Sequence, residues 1–287
     1  MQTVAAARAW AIKKFKHRQV TSPALTADLL LGFVLGWDRV RVLSHTEQSV
    51  QEEAWNRFRN LVRRRAFGEP LQYLTGEQEF YGRPFRVTHD VLIPRPETEI
   101  LVDRAVHLMM NHPHSRIRFV DVGTGSGCIA VSVACEICSA LGWAIDNSAA
   151  ALSVAVENAY RNGVAARIQY AQADLLECFP EKSCFDFVLS NPPYVAGEEY
   201  ANLPVSIRDH EPRDALWGGE SGLEIYRRLI PEISPRLQPG GYVLLELGAG
   251  QAEQVGEFLQ EGGLSVKMVV NDLQEIPRCL VGQKPRG

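Results

Sequence analysis

From residue 118 onward, short apolar runs alternate with segments of helical periodicity, and this alternation restricts the fold more than any other feature. Strands and helices in alternation build parallel sheets, because each crossover helix covers one face and returns the chain to the same edge. We expect strands at 119–122, 141–145, 168–171, 185–189, 241–247 and 264–270, with helices at 128–138, 149–162 and 251–260. The sequence therefore predicts an α/β fold with a mostly parallel sheet covered on both faces.

The N-terminal part of the chain has a different periodicity. Apolar residues recur at helical spacing in 4–15, 24–35 and 50–67, which predicts a small helical bundle over residues 1–76. Ser49 and Glu52 have the spacing of a capping box ahead of the third helix.

Two short β-like runs, 79–81 and 84–87, follow the bundle and predict a β-hairpin linker over residues 77–91. The remaining residues, 92–287, then form the α/β domain, and proline-rich residues 93–96 hold its first segment extended.

Composition excludes several classes of protein. The longest apolar runs, such as 242–247, are too short to cross a bilayer, so we expect a cytoplasmic protein with no membrane partner. Six scattered cysteines in a chain of this length favour reduced thiols over a disulfide framework. Cys135 and Cys138 form one C-x-x-C pair without a second pair or a nearby histidine, so no metal is expected.

Charge is distributed unevenly along the chain. Residues 1–76 hold 12 Lys and Arg against 6 Asp and Glu, a balance of +6, and the remainder holds 18 against 28, a balance of −10. The basic part has two interpretations: solvated helix faces or a docking surface for an acidic partner. A net charge of −4 gives no sign of general nucleic-acid affinity, so no direct nucleic-acid partner is expected. We expect a monomer, because no exposed heptad or long apolar edge is visible.

A glycine-rich segment follows the first strand of the α/β part and indicates a ligand site. The segment is Asp121-Val122-Gly123-Thr124-Gly125-Ser126-Gly127, and a helix begins directly after it. Glycines allow a tight turn and close approach of the backbone to a nucleotide-like ligand at the carboxyl edge of the sheet. The candidate cofactor-binding residues in this segment are Gly123, Thr124, Gly125, Ser126 and Gly127.

Two further carboxylates stand at the ends of the next strands. Asp146 ends the second strand, where it can accept hydrogen bonds from both ribose hydroxyls, and Asp174 with Leu175 follows the third, beside an adenine ring. The spacing Gly125-x-Gly127-x-x-Ala130 also fits a dinucleotide fingerprint, so an NAD-dependent dehydrogenase is an alternative. Closely spaced glycines after an aspartate suit S-adenosylmethionine better, because that ligand has no pyrophosphate.

The segment Asn191-Pro192-Pro193-Tyr194 follows the apolar strand 185–189, and therefore lies on the same sheet edge. An amide nitrogen is a poor nucleophile, so a site that methylates it must hold the NH₂ group by its hydrogens and aim the nitrogen. The Asn191 side-chain oxygen and the Pro192 carbonyl can each accept one N–H, and Tyr194 offers a ring face. We take Asn191, Pro192 and Tyr194 as candidate catalytic residues, and Pro193 with them as substrate-binding.

These motifs together resemble the HemK/PrmC family, the protein-(glutamine-N5) methyltransferases that modify the Gly-Gly-Gln glutamine of peptide chain release factors. The resemblance covers nearly the whole chain and includes residues 69–76, 79–82, 92–99, 121–127, 191–194 and 211–219. It implies a Rossmann-like class I methyltransferase sheet with an N-terminal helical bundle that docks the release factor. It also implies that Gly123 to Gly127, Asp146, Leu175 and Asn191 contact S-adenosyl-L-methionine, and that residues 191–194 hold the glutamine.

Two other functions remain alternatives at this point. A DNA adenine N6-methyltransferase would share the Asn-Pro-Pro-Tyr chemistry, but it needs a basic groove for duplex phosphates, and the expected catalytic part is acidic. A non-catalytic scaffold would leave the full set of cofactor and acceptor positions without a role.

Overall fold

The structure is a computed structural model that describes residues 2–113, 115–182 and 184–286. The chain forms two units, one built from the chain up to Glu77 with Pro204–His210, the other from Gln78–Leu203 and the chain from Glu211 onward. Within the described ranges, every helix is too short or too polar to span a bilayer.

Five helices make up most of the smaller unit. They are α1 (Val4–His17), α2 (Pro23–Leu35), α3 (Arg39–Ser44), α4 (Glu52–Ala66) and α5 (Leu71–Thr75), with a two-residue ladder between β1 (Gln2–Thr3) and β2 (Ser49–Val50). Phe15, Leu30 and Phe58 are fully buried in its core. The three predicted helices are confirmed as α1, α2 and α4. The capping box is wrong, because Ser49 pairs with Thr3 in the ladder and Gln51 occupies the N-cap position.

The predicted hairpin is present as β3 (Glu77–Phe80) and β4 (Arg83–Arg86). Its turn residues, Tyr81 and Gly82, both have positive φ, at 51° and 70°, which matches the right-handed twist of the flanking strands. Phe80 and Phe85 contact each other edge to face and are buried in a core of the larger unit.

A seven-stranded sheet organises the larger unit. Its strands are β5 (Ile117–Val122), β6 (Ala140–Asp146), β7 (Ile168–Gln172), β8 (Phe185–Ser190), β9 (Leu237–Glu246), β10 (Ser265–Asn271) and β11 (Pro277–Gln283), in the order β10-β11-β9-β8-β5-β6-β7. The five strands from β9 to β7 are parallel, and β11 pairs antiparallel with both β9 and β10. The predicted mostly parallel α/β sheet is confirmed, although β11 was not predicted.

Helices cover both faces of this sheet. They are α6 (Thr98–Met110), α7 (Cys128–Glu136), α8 (Ala149–Arg161), α11 (Glu224–Arg236) and α12 (Ala252–Glu261), while the short α9 (Gly197–Ala201) follows β8 and α10 (Val205–Arg208) belongs to the smaller unit. Successive strand residues point to opposite faces, so Phe119 packs in the core with α6, α7 and α8, and Val120 packs in the core with α11 and α12. The unpredicted helix α11 contains Pro231 and Pro235 and still buries Tyr226.

Candidate active site

A cavity of about 400 Å³ lies at the carboxyl ends of the parallel strands in the larger unit. Nine of the predicted site residues line it: Gly123, Thr124, Gly125, Ser126, Asp146, Asp174, Leu175, Asn191 and Pro193. Residues from the glycine loop, from the end of β6 and from the loop after β8 thus face one space. This is the arrangement that the sequence predicts for a ligand beside an acceptor.

The three loop glycines have positive φ but differ in their surroundings. A Cβ at Gly123 or Gly125 would meet no atom within 4 Å, so these two positions leave the backbone open toward the cavity. A Cβ at Gly127 would lie 3.0 Å from the Cβ of Ala155. Gly127 is therefore where α7 approaches α8 closely, and it is not among the described residues that line the cavity.

The carboxylate of Asp146 is oriented by the backbone on both sides. Its Oδ2 accepts the Gly125 N–H at 2.9 Å, and its Oδ1 accepts the Ser148 N–H at 2.9 Å. Burial raises the pKa of this carboxyl above its ordinary value, and the backbone hydrogen bonds oppose that shift. Each oxygen retains a lone pair, so the side chain can accept two hydroxyl hydrogens from a ligand in the cavity.

Asp121 stands ahead of the loop glycines and is fully buried at the end of β5. Its Oδ2 accepts the Thr124 hydroxyl at 2.6 Å and the Ala130 N–H at 3.1 Å, and its Oδ1 has no partner among the described residues. Burial raises the pKa of Asp121 from 3.8 to about 7. The hydrogen bonds of Asp121 hold the glycine loop in place, and its Oδ1 is a further acceptor beneath this loop.

Asp174 and Leu175 line the cavity after β7. Asp174 is half exposed and forms an ion pair with Arg228, which also lines the cavity. Leu175 has a φ of 51°, in a region that a leucine rarely adopts, and the next amide, of Leu176, donates to Glu232 at 3.0 Å. The backbone is thus held in a strained conformation where it borders the cavity.

The amide of Asn191 is oriented by a hydroxyl. Its Nδ2 donates to Thr98 Oγ1 at 3.2 Å, which leaves Oδ1 as the group that can accept a hydrogen from a ligand in the cavity. Thr98 is itself buried and lines the cavity beside Asn191. Sequence reasoning did not find Thr98, because it is far from Asn191 along the chain.

Pro192 and Tyr194 are not among the described residues that line the cavity. Pro192 is buried, and the Tyr194 side chain packs against the core beside α11 and α12, with its hydroxyl donating to Glu246 Oε1 at 3.4 Å. Burial raises the pKa of Tyr194 well above its ordinary value. In this conformation the Tyr194 side chain holds the loop after β8 against the core.

Further contacts fix the backbone that follows Tyr194. Gln251 Nε2 donates to the Tyr194 carbonyl at 3.0 Å, and Val195 forms an isolated parallel bridge with Trp217. The loop after β8 is therefore tied to α12 and to the segment 211–219, which limits how far the cavity wall can move.

An ion pair connects the segment 211–219 to residues that line the cavity. Glu211 is buried, and its carboxylate accepts from Arg95 at 2.5 Å and from the Ile93 N–H at 3.2 Å. Pro94, Arg95, Pro212, Asp214 and Ala215 line the cavity. In the sequence, the proline-rich residues 93–96 and the Glu211-Pro212 pair are visible as two separate motifs. Nothing in the sequence predicts that they contact each other.

Metal-binding groups are not clustered in the ranges that the structure describes, where no set of three His, Cys, Asp or Glu side chains could hold an ion. All six cysteines are free thiols.

Comparison with known proteins identifies the family. The model of the PrmC N-terminal domain matches residues 6–76, and that of the methyltransferase small domain matches residues 98–206. The release factor glutamine methyltransferase of Koribacter versatilis is 40% identical over 275 residues, which are 96% of each chain. The chain belongs to the release factor glutamine methyltransferase family. The protein of that name from Bordetella pertussis is 42% identical over 263 residues, 91% of this chain and 94% of its own.

Solved structures with lower identity share the fold. A methyltransferase from Pyrococcus furiosus is 18% identical with a TM-score of 0.53, covering 72% of this chain and 91% of its own. The ribosomal protein L11 methylase of Lactobacillus delbrueckii is 19% identical with a TM-score of 0.50, covering 72% and 88%. The predicted class I methyltransferase sheet is confirmed. Family and fold together decide against the dehydrogenase interpretation of the glycine loop.

Proposed function

We propose that this enzyme methylates the side-chain amide nitrogen (N5) of the glutamine in the Gly-Gly-Gln motif of a peptide chain release factor, with S-adenosyl-L-methionine as methyl donor. The relatives' names support a release factor as the substrate. The observation that carries the proposal is the free Oδ1 of Asn191 at the cavity wall, since its Nδ2 is engaged by Thr98.

The acceptor side of the cavity suits an amide. Asn191 Oδ1 accepts one hydrogen of the glutamine NH₂ group, and the Pro192 carbonyl accepts the other, so the nitrogen is held with its lone pair aimed into the cavity. The stiffness of two adjacent prolines keeps these acceptors in place while the amide gives up its planarity. Proton loss from the methylated nitrogen follows transfer, and the chain needs no strong general base for it.

The other side of the cavity suits S-adenosyl-L-methionine. The open backbone at Gly123 and Gly125 admits a ligand without a side-chain clash, and Asp146 has two oriented oxygens for ribose hydroxyls. Thr124, Ser126, Asp174 and Leu175 complete the proposed contacts, with Gly127 and Asp121 supporting the loop. The donor, when bound, supplies a methyl group on an electrophilic sulfonium, so the protein contributes mainly position and electrostatics.

The N-terminal part is proposed to recruit the protein substrate. In this division, residues 1–76 dock the release factor, 77–91 form the linker and 92–287 carry the reaction. The balance of +6 over residues 1–76 supports contact with an acidic surface of the substrate.

Transfer of labelled methyl groups tests the proposal. The acceptors are a release factor with Gly-Gly-Gln, the same factor with glutamine replaced by alanine, and duplex DNA. We expect label on the unmodified factor and none on the other two. Label on DNA would favour the adenine methyltransferase, and absence of label from all three would favour the scaffold.

A further inference from the structure

The cavity is lined by more carboxylates than guanidinium groups. Among the described lining residues, the arginines are Arg95 and Arg228. The acidic residues among them are Asp90, Asp146, Asp174 and Asp214. S-adenosylmethionine has two positive groups, its sulfonium and its ammonium, and one negative group, the carboxylate of its amino-acid end. The lining carboxylates suit the positive groups, so the ligand carboxylate has these two arginines as candidate partners.

The two arginines lie toward opposite sides of the cavity. Arg228 forms an ion pair with Asp174, which follows β7. Arg95 belongs to the segment that precedes α6, and its carbonyl accepts the Thr98 N–H at 3.1 Å. The Thr98 hydroxyl oxygen accepts from Asn191 Nδ2, and Asn191 follows β8. Because β5 and β6 lie between β8 and β7 in the sheet, Arg95 is on the β8 side and Arg228 is on the β7 side.

The contacts proposed above put the amino-acid end of the donor on the side of Arg95. In S-adenosylmethionine, the sulfonium joins the adenosine to the amino-acid chain. With the adenosine at Asp146 and Asp174 and the methyl group toward Asn191, the amino-acid chain leaves the sulfur in the direction away from β7. Arg95 is therefore the lining arginine on the side of the ligand carboxylate, and Arg228 is the one on the side of the adenine.

Glu211 holds the guanidinium of Arg95 without engaging all of its donors. Glu211 Oε1 accepts from Arg95 Nη2 at 2.5 Å, and Oε2 accepts the Ile93 N–H at 3.2 Å. The Glu211 side chain is 1% exposed and that of Arg95 is 28% exposed. A guanidinium has five N–H donors in a planar fork, and Nε and Nη1 of Arg95 have no partner among the described residues. A buried carboxylate thus fixes one nitrogen, and the other N–H groups are available to a second carboxylate.

We propose that Arg95 binds the carboxylate of S-adenosylmethionine, and that Glu211 is a positioning residue that holds the guanidinium for this contact. The proposal rests on the function proposed above. The planar fork of an arginine matches the two oxygens of a carboxylate, and a hydrogen bond between two charged groups is stronger than one between neutral groups. Arg95 therefore gives the enzyme a preference for a methyl donor whose amino-acid end is intact.

Decarboxylated S-adenosylmethionine, which lacks only this carboxylate, tests the contact in calorimetric titrations. We expect the wild type to bind S-adenosylmethionine about 10- to 100-fold more tightly than the decarboxylated form. In the double variant Arg95→Gln with Glu211→Gln, this ratio of the two Kd values should fall to within about threefold. The double substitution leaves the net charge unchanged and leaves no buried carboxylate without its partner, so neither effect can account for the loss.

The second double variant, Arg228→Gln with Asp174→Asn, is the matched control. It removes the other ion pair that lines the cavity, again without a change in net charge. Both ligands have the same adenosine, so the control should weaken both by the same factor and leave their ratio unchanged. Thermal unfolding of each variant without ligand shows whether it folds. If the Arg95 double variant does not fold, Arg95→Lys decides, because it keeps a cation beside Glu211 and replaces the fork by a single ammonium, and the ratio should fall about threefold.

A ratio that stays at its wild-type value in the folded Arg95 variant would overturn the proposal and would assign the ligand carboxylate to the backbone N–H groups of the glycine loop. The same ratio with a raised KM for the release factor would also overturn it, because Arg95 then serves the protein substrate. The wild type keeps the two proposals apart. If it does not bind S-adenosylmethionine, the proposed function fails, whereas binding of both ligands with equal Kd refutes only the carboxylate contact.

Discussion

The glycine loop and the acceptor loop, residues 191–194 after β8, lie at the same edge of one sheet. Each is supported by a buried carboxylate, and one oxygen of each carboxylate has no partner among the residues that the structure describes. Asp121 hydrogen-bonds Thr124 and Ala130, which lie three and nine residues away. Glu246 instead accepts the hydroxyl of Tyr194, 52 residues away, through its carboxylate, and the hydroxyl of Tyr226, 20 residues away, through its backbone carbonyl. The carboxylate beneath the glycine loop thus has local partners, although Asp146 from β6 also holds Gly125, while the carboxylate behind the acceptor loop has partners from more distant parts of the chain.

This difference matches what each side is proposed to do. A sulfonium donor is already reactive, so its side of the site needs shape and ribose acceptors, which the glycine loop and the end of β6 provide. The amide nitrogen is unreactive, so its side needs a fixed acceptor orientation, which requires several elements to converge.

The largest expected effect is on the methyl-transfer step, and it comes from a substitution on the acceptor side of the cavity. Asn191→Ala removes the proposed contact to the glutamine NH₂ group, and we expect methyl transfer to fall about 100- to 1,000-fold. Affinity for S-adenosylmethionine, measured by calorimetry, should change little. Asn202→Ala, an exposed asparagine whose amide donates to the Glu198 carbonyl, is the matched control and should retain activity. Unchanged turnover in Asn191→Ala would remove the residue from the mechanism.

On the donor side of the cavity, we expect substitutions to weaken the binding of S-adenosylmethionine. Asp146→Ala should weaken S-adenosylmethionine about 10- to 100-fold, because two hydrogen bonds to a charged acceptor are lost. Asp174→Ala should weaken it less, since Asp174 is half exposed and already paired with Arg228. Calorimetric titration of both variants checks the order, and a larger loss in Asp174→Ala would reverse the assigned ribose contact.

Two glycine substitutions separate folding from binding within the loop. Gly127→Ala should lower the free energy of unfolding by about 2 kcal/mol, because its Cβ would crowd Ala155 and its φ is positive. Gly123→Ala should cost about 1 kcal/mol from its φ alone, and its Cβ should impair S-adenosylmethionine binding. Denaturant unfolding and calorimetry give the two quantities. Equal stability losses would show that the packing at Gly127 does not matter.

The two buried carboxylates should give similar pH dependence to the stability. Burial raises the pKa of Asp121 from 3.8, and that of Glu246 from 4.5, to about 7 in each case. Between the unfolded and folded pKa values, the folded state keeps protons that the unfolded state has released. Stability should therefore decrease as pH rises from about 4 to about 7, by at most about 1.4 kcal/mol per pH unit for each group.

Asp121→Asn and Glu246→Gln each remove one of these groups and should make the dependence shallower over the same pH range. Denaturant unfolding of the wild type and both variants measures the slopes. If the stability of the wild type is constant or rises over this pH range, then burial does not raise the pKa of Asp121 or Glu246.

Local signals account for what the sequence could predict. The glycine loop, the position of Asp146 and the strand–helix alternation depend on residues close together in the chain, and the structure places them as expected. Strand β11 was missed because it enters the sheet antiparallel, outside the alternation that predicts parallel strands. Helix α11 was missed because Pro231 and Pro235 interrupt its pattern.

Long-range contacts account for what could not be predicted. The hydroxyl of Thr98 lies 93 residues from Asn191 in the sequence, and the Arg95–Glu211 ion pair joins residues 116 apart. Periodicity and motif spacing contain no information on which distant side chains meet. The same holds for the contact of the Tyr194 hydroxyl with Glu246, which joins residues 52 apart.

Mapping of the methyl group tests the central claim most directly. A release factor incubated with the enzyme and S-adenosylmethionine is digested, and fragmentation mass spectrometry locates the modified atom. The account predicts a single methyl group on the side-chain amide nitrogen of the Gly-Gly-Gln glutamine, and much slower formation of this product when Asn191→Ala replaces the wild type. A methyl group on any other residue of the factor would contradict it.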